Sequence, residues 1–159
     1  MSTSSYSTDT QFTFGTVHLE SLANPRKRKS QVGEIAQILA PCDNAMFMGD
    51  FNFDSEKGYF GDDGENHILG ELVPEFTDCW AAKHYVDGKV DKKNQGKTFD
   101  TKTNPNLKDH KEEVMRYDRV MLKSAKWTLE SCEVVGYPKK GEICISDHYG
   151  LYTELSYNK

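Results

Sequence analysis

The residues whose types and spacing could do chemistry fall in four short stretches: His18-Leu19-Glu20-Ser21, Gly49-Asp50-Phe51-Asn52, Arg116-Tyr117-Asp118-Arg119 and Ser146-Asp147-His148. Each puts a carboxylate, amide or imidazole at the end of an apolar, β-branched or aromatic run, where a strand delivers its groups to the edge of a sheet. Together they suggest a phosphate-cleaving site. Hydrolysing a phosphodiester needs an oriented water, a group that takes its proton, and positive charge for the phosphoryl oxygens. Asp50 and Asn52 stand two apart, so in an extended segment they face one way, Asn52 holding a water while Asp50 accepts its proton. Asp147 can help hold a hard cation such as Mg²⁺, and a His148 imidazolium can donate to a non-bridging oxygen. Asp118 lies among strand residues where a charge is costly unless paired, so it suits a partner that orients His148 and keeps it charged. Singly, Gly-Asp-x-Asn is a common turn and Ser-Asp-His a common cap. Their joint occurrence moves the balance to function.

The elements that must position these groups are legible in outline. Residues 1 to 10 are Ser/Thr-rich with little to bury and read as a flexible start, leaving one domain over residues 11 to 159. Phe12, Phe14, Thr16 and His18 alternate with period two, which predicts a strand ending at the first stretch. A turn at Asn24-Pro25 leads into a helix with Val32, Ile35, Ile38 and Leu39 at helical spacing, stopped by Pro41. Ala45 to Met48 is a short apolar run that fits a buried strand, left at Gly49-Asp50. Residues 54 to 66 read as a long surface loop, 68 to 80 as a short helix and turn, and 86 to 97 as an exposed excursion. Val120 to Leu122, Trp127 to Val135 and Tyr149 to Leu155 supply three further strands. The fold class is α/β with a mixed sheet.

At 159 residues, with 28% charged and 11% aromatic side chains, the composition is that of a folded soluble protein. A net charge of −5 argues against non-specific coating of nucleic acid, although a local basic face could still bind phosphates. Cys42, Cys79, Cys132 and Cys144 show no CxxC spacing and read as reduced structural thiols. No apolar run is long enough for a signal sequence or membrane span, so no membrane partner is expected.

On these motifs the chain resembles the C-terminal part of the endonuclease/exonuclease/phosphatase superfamily, the DNase I-like α/β sandwich. Within it the chain is most similar to 5′-tyrosyl-DNA phosphodiesterases. Narrower matches are Phe12-Thr13-Phe14 leading into His18-Leu19-Glu20-Ser21, Arg28 and Gln31 on the following helix, Thr98 to Lys102 with Asn106-Leu107, and Arg116 to Arg119. The resemblance implies Asp50 as water-activating base, Asn52 as positioning amide and His148 as transition-state stabiliser. It also implies Asp118 and Asp147 as orienting and metal-proximal carboxylates, and His18 on the scissile phosphate. Ser21, Arg28 and the Thr98 to Lys102 segment, with Phe99 and Lys102 in it, would lie at the substrate, Phe99 standing where the family usually has Trp. It further implies Mg²⁺ (or Mn²⁺), a DNA partner carrying a 5′-tyrosyl or related adduct, a DNA-repair role, and a nuclear or cytoplasmic location. Arg26 to Lys29 would touch the backbone, act as a targeting run, or simply form a solvated helix start. Such domains also bring an Asn strand and a metal-binding Glu ahead of the first of these motifs. Neither is present before Gln11, so the missing N-terminal half or a second chain is an expected partner. An inactive phosphate-binding remnant, and a hydrolase of RNA, lipid or sugar phosphates, are the alternative expectations.

Overall fold

The computed structural model describes residues 11–56, 65–91, 94–139 and 142–158. The flexible start expected over residues 1 to 10 lies outside the described residues. The chain opens with β1 (Thr13–His18), crosses through α1 (Pro25–Leu39), and returns as β2 (Ala45–Asp50) parallel to β1. Parallel neighbours need such a crossover, and α1 supplies it. Next come α2 (His67–Leu72), β3 (Thr77–Asp78) and α3 (Cys79–His84), then a small ladder of β4 (Phe99–Asp100) with β5 (Val114–Met115). The central strand β6 (Asp118–Lys123) pairs antiparallel with both β2 and β3, giving the sheet order β1-β2-β6-β3. A hairpin of β7 (Trp127–Val135) and β8 (Gly150–Tyr157) completes the described elements.

Two layers cover the sheet. On one side α1 and α2 bury Val32, Leu39, Ile68 and Leu69 against Phe47, Phe51 and Met121. On the other, α3 and the hairpin bring Trp80, Cys132, Leu129 and Leu155 to Met46, Val120 and Leu122. Full burial of a ring such as Phe47 stabilises by roughly 1.5–3 kcal/mol, so these stripes fix which face each strand turns inward. The mixed α/β architecture expected from the sequence is the one found.

Four local expectations change. Ile38 is 69% exposed, because the inward stripe of α1 runs through Val32, Ile35, Ala36 and Leu39, and Ile38 falls outside that arc. The loop after Asn52 is tied down at both ends: Asp54 is buried and Glu65 closes onto Arg28, while its middle, 57 to 64, lies outside the described residues. The excursion after Val86 is exposed only at first. Gly96 (φ +63) packs against the Trp80 ring where a Cβ would sit 2.2 Å from a ring carbon, and Lys97 is sunk between Asp54 and Glu56. The segment 68 to 80 holds two helices and the two-residue strand β3 instead of one helix and a turn. All four cysteines are free, three of them buried, and burial pushes the Cys79 thiol up to about 12. No described helix is long and apolar enough to cross a membrane.

Candidate active site

Strand register builds the site. In the β1/β2 ladder His18 faces Asp50, and in the β2/β6 ladder Asp50 faces Asp118, so three groups from distant segments form one row across the sheet. Gly49 makes this possible. It adopts φ +134, and a Cβ there would lie 2.1 Å from the Val17 carbonyl oxygen, so only glycine lets β1 and β2 pair up to their last residues.

His148 enters from the loop ahead of β8. Its Nδ1 stands 2.7 Å from Asp118 Oδ2, which assigns the ring proton to Nδ1 and turns Nε2 toward Asp50 Oδ2 at 4.0 Å. The ring leans on Phe99 at 5.1 Å between centroids, and its backbone N–H donates to Ser146 Oγ. Burial alone would push this imidazole down. The hydrogen bond His148 donates to Asp118 and the charges of Asp118, Asp50 and Asp147 outweigh burial and raise it, so the geometry favours imidazolium. Asp50 also lies above the ordinary carboxylate range, first because it is partly buried and then because Asp118 repels it, despite the Asn52 N–H on its Oδ1. His18, largely exposed, approaches Asp50 Oδ2 at 3.5 Å. The result is a carboxylate primed to take a proton beside an imidazole primed to give a hydrogen bond.

Asn52 reaches this cluster differently from the expectation. β2 ends at Asp50, and Asn52 takes a left-handed backbone (φ 54) with its side-chain amide donating to the Leu19 carbonyl at 2.8 Å. It braces the ends of β1 and β2, and strand alternation does not describe it. Asp147 is exposed and stands outside the group formed by Asp50, Asp118 and His148. Ser21 is exposed beyond β1, and Lys102 is exposed and paired with Glu112 at 2.6 Å.

Two residues expected at the substrate are buried. Arg28 is fully buried, its guanidinium gripping Glu65 with two nitrogens and the carbonyls of Glu20 and Leu22 with a third, so it shapes the segment after β1 from beneath. A solvated helix start does not describe Arg28, because four acceptor oxygens on three residues satisfy its charge. Phe99 is 9% exposed and supports the His148 ring, leaving little face for a stacked base. The sequence reading also missed a buried pair, Arg116 with Asp78 at 2.9 and 3.0 Å, which anchors the entry to β6. Thr98 was read only within a segment near the substrate, and Asn104 was not singled out. An arginine directly ahead of the apolar run of β6 was the available signal for the first, and the Asn-Pro turn at 104 for the last.

Asp50, Asp118 and His148 each offer an atom within 4.8 Å of the others, a group that could hold a metal ion. His148 can ligate only through a deprotonated nitrogen, so a cation between the two carboxylates and an imidazolium exclude one another. The raised His148 favours the imidazolium in that space. The exposed Asp147 carboxylate beside it fits the other arrangement, in which Mg²⁺ keeps waters and takes one or two carboxylates plus a phosphate oxygen.

No protein-family model matches this sequence, and no curated protein matches it. Solved structures do. The chain is similar to D. rerio TDP2 crystallised with a single-strand DNA product, at 26% identity and TM-score 0.68, over 90% of this chain and 55% of that one. Truncated Caenorhabditis elegans TDP2 matches at 22% identity and TM-score 0.61, over 87% of this chain and 52% of that one. An endonuclease/exonuclease/phosphatase family protein from Bacteroides thetaiotaomicron matches at 15% and 0.61, over 92% and 50%. The chain thus spans about half the length of the structures it matches. The row of His18, Asp50 and Asp118 on a mixed sheet, with His148 over it, therefore belongs to a chain with the DNase I-like fold of the endonuclease/exonuclease/phosphatase proteins, matching them as the C-terminal part of such a domain would.

Proposed function

We propose that this chain carries the hydrolytic edge of a phosphodiesterase that cleaves 5′-phosphotyrosyl or related bonds at DNA ends. The observation that carries this reading is the pairing of a raised Asp50 with a His148 held by Asp118, within 4.0 Å of one another. Asp50 Oδ2 takes the proton of the attacking water beside His18, while the Asn52 N–H holds the other carboxylate oxygen, Oδ1. His148 donates from Nε2 to a non-bridging phosphoryl oxygen as charge builds there, and Asp118 keeps the ring oriented and charged. A divalent cation, Mg²⁺ or Mn²⁺, held at Asp147 and a phosphate oxygen would add positive charge. The likeness to a TDP2 crystallised with single-strand DNA supports DNA as the substrate class, with exposed Ser21 and Lys102 as backbone contacts. A DNA-repair role in the nucleus or cytoplasm is part of the same proposal, as is a further chain or segment that completes the domain.

The test is a substrate panel. A 5′-phosphotyrosyl oligodeoxynucleotide, its RNA counterpart, an inositol phosphate and a sugar phosphate are offered with Mg²⁺ and with EDTA. Metal-dependent cleavage of the first in preference to the rest is expected. Preference for another member would move the substrate class, and binding of DNA by a folded protein with no turnover on any would favour a phosphate-binding module.

A further inference from the structure

We propose that Thr98 is a positioning residue for the Asp118–His148 pair, a role distinct from touching DNA. Thr98 is fully buried, and its Oγ1 accepts from two consecutive backbone N–H groups, Tyr117 at 3.2 Å and Asp118 at 3.0 Å. Its backbone carbonyl accepts from Tyr149 N–H at 2.7 Å, the residue after His148. One residue therefore grips the backbone at Asp118 with its side chain and next to His148 with its main chain. Asp118 and His148 lie thirty positions apart in sequence, and Thr98 links the backbone at the one to the backbone beside the other. The same segment continues the grip a few residues on. Buried Asn104 donates from its side-chain amide to the carbonyls of Ser146 and Asp147, each at 3.0 Å. Phe99, between them, packs against the His148 ring together with Tyr117.

The physical requirement is a side-chain acceptor with no freedom to turn away. A hydroxyl offers two lone pairs, which suits two donors on adjacent residues, and the β-branched methyl restricts χ1. Serine keeps the acceptor and valine keeps the shape, so the pair of substitutions separates the hydrogen bonds from the packing. Without the acceptor, the start of β6 is free to shift and carry the Asp118 carboxylate away from His148. A group oriented through another is sensitive to such shifts, and losing an outer partner of a histidine costs about 10- to 100-fold.

The test reads the pair directly and kinetically, and only its kinetic arm rests on the hydrolytic reading. The hydrogen-bonded His148 Nδ1 proton gives a low-field proton resonance, assigned by its loss in Asp118→Asn. Thr98→Val should lose or shift that resonance and lower kcat about 10- to 100-fold with little change in KM, while Thr98→Ser retains both. Should Thr98→Val fail to fold, Thr98→Ala takes its place, since it removes the side-chain acceptor and adds no atom that could clash. An unchanged resonance and kcat in a folded Thr98→Val or Thr98→Ala would overturn the role, and a rise in KM alone would return Thr98 to substrate contact. Loss of the resonance in a protein without turnover on any substrate would keep the role and strike the hydrolytic reading instead.

Discussion

Asp118 Oδ2 and His148 Nδ1 meet at 2.7 Å, joining the first residue of the central strand to the loop ahead of the last. That bond decides what His148 can do. It fixes the tautomer, turns Nε2 toward Asp50, and holds the ring charged at a pH where a solvated imidazole would have lost its proton.

The pH dependence of stability follows from that pair. Because the folded value of His148 is raised above the ordinary value of about 6.5, its stabilising contribution is complete below that pH and is lost as pH rises through the folded value. The stability difference between the wild type and Asp118→Asn should therefore be largest below about pH 6.5 and shrink above it. Denaturant unfolding on both sides of that pH measures it, and a difference that grows with pH contradicts the charged pair.

Activity should trace a bell. The acid limb belongs to the raised Asp50, which must be ionised to act as base, and lies above the ordinary carboxylate position. The alkaline limb belongs to His148 and lies above the ordinary imidazole position. The limbs report the coupled pair as a whole, and Asp118→Asn should move the alkaline limb downward.

Arg28 gives a stability prediction that separates two roles. Arg28→Met leaves the Glu65 carboxylate and two carbonyls without their partner and should cost about 3–5 kcal/mol in denaturant unfolding. Pairing it with Glu65→Leu should recover much of that loss. A weakened affinity for DNA at unchanged stability would instead restore Arg28 to the substrate.

Gly49→Ala should be among the most damaging small substitutions. The added Cβ meets the Val17 carbonyl, so β1 must part from β2 at the row that carries His18 and Asp50. A loss of about 3 kcal/mol, at the upper end of ordinary point substitutions, is expected from thermal or denaturant melting. A soluble variant of unchanged stability would mean that the strand ends are looser than described.

The strands and the crossover helix were legible because their signals are local: alternation in β1, an apolar run in β2, the Asn24-Pro25 start and Pro41 stop of α1. Asp118 as the partner of His148 was legible too, since a carboxylate at the edge of an apolar strand needs one. What escaped was set by tertiary contact. Nothing near Arg28 in sequence announces Glu65, thirty-seven positions away, so a basic cluster looked solvated when one of its members was the best buried. The placement of Asn52 escaped because the backbone turned left-handed two residues past the strand, where period-two reasoning no longer applies. Phe99 was placed at the substrate by the resemblance alone, and only the fold shows the His148 ring packed against it. Thr98 was legible only as part of a segment near the substrate, and its grip on two N–H groups about twenty residues downstream was not.

The central claim is that Asp50 and His148 act together on a phosphate ester. The most direct measurement is Mg²⁺-dependent release of tyrosine from a 5′-phosphotyrosyl oligonucleotide by the folded protein, beside Asp50→Asn and His148→Gln. Turnover that each substitution lowers by about 10²- to 10⁴-fold, with the fold intact by circular dichroism, is the expected result. Turnover that survives either substitution would contradict the account.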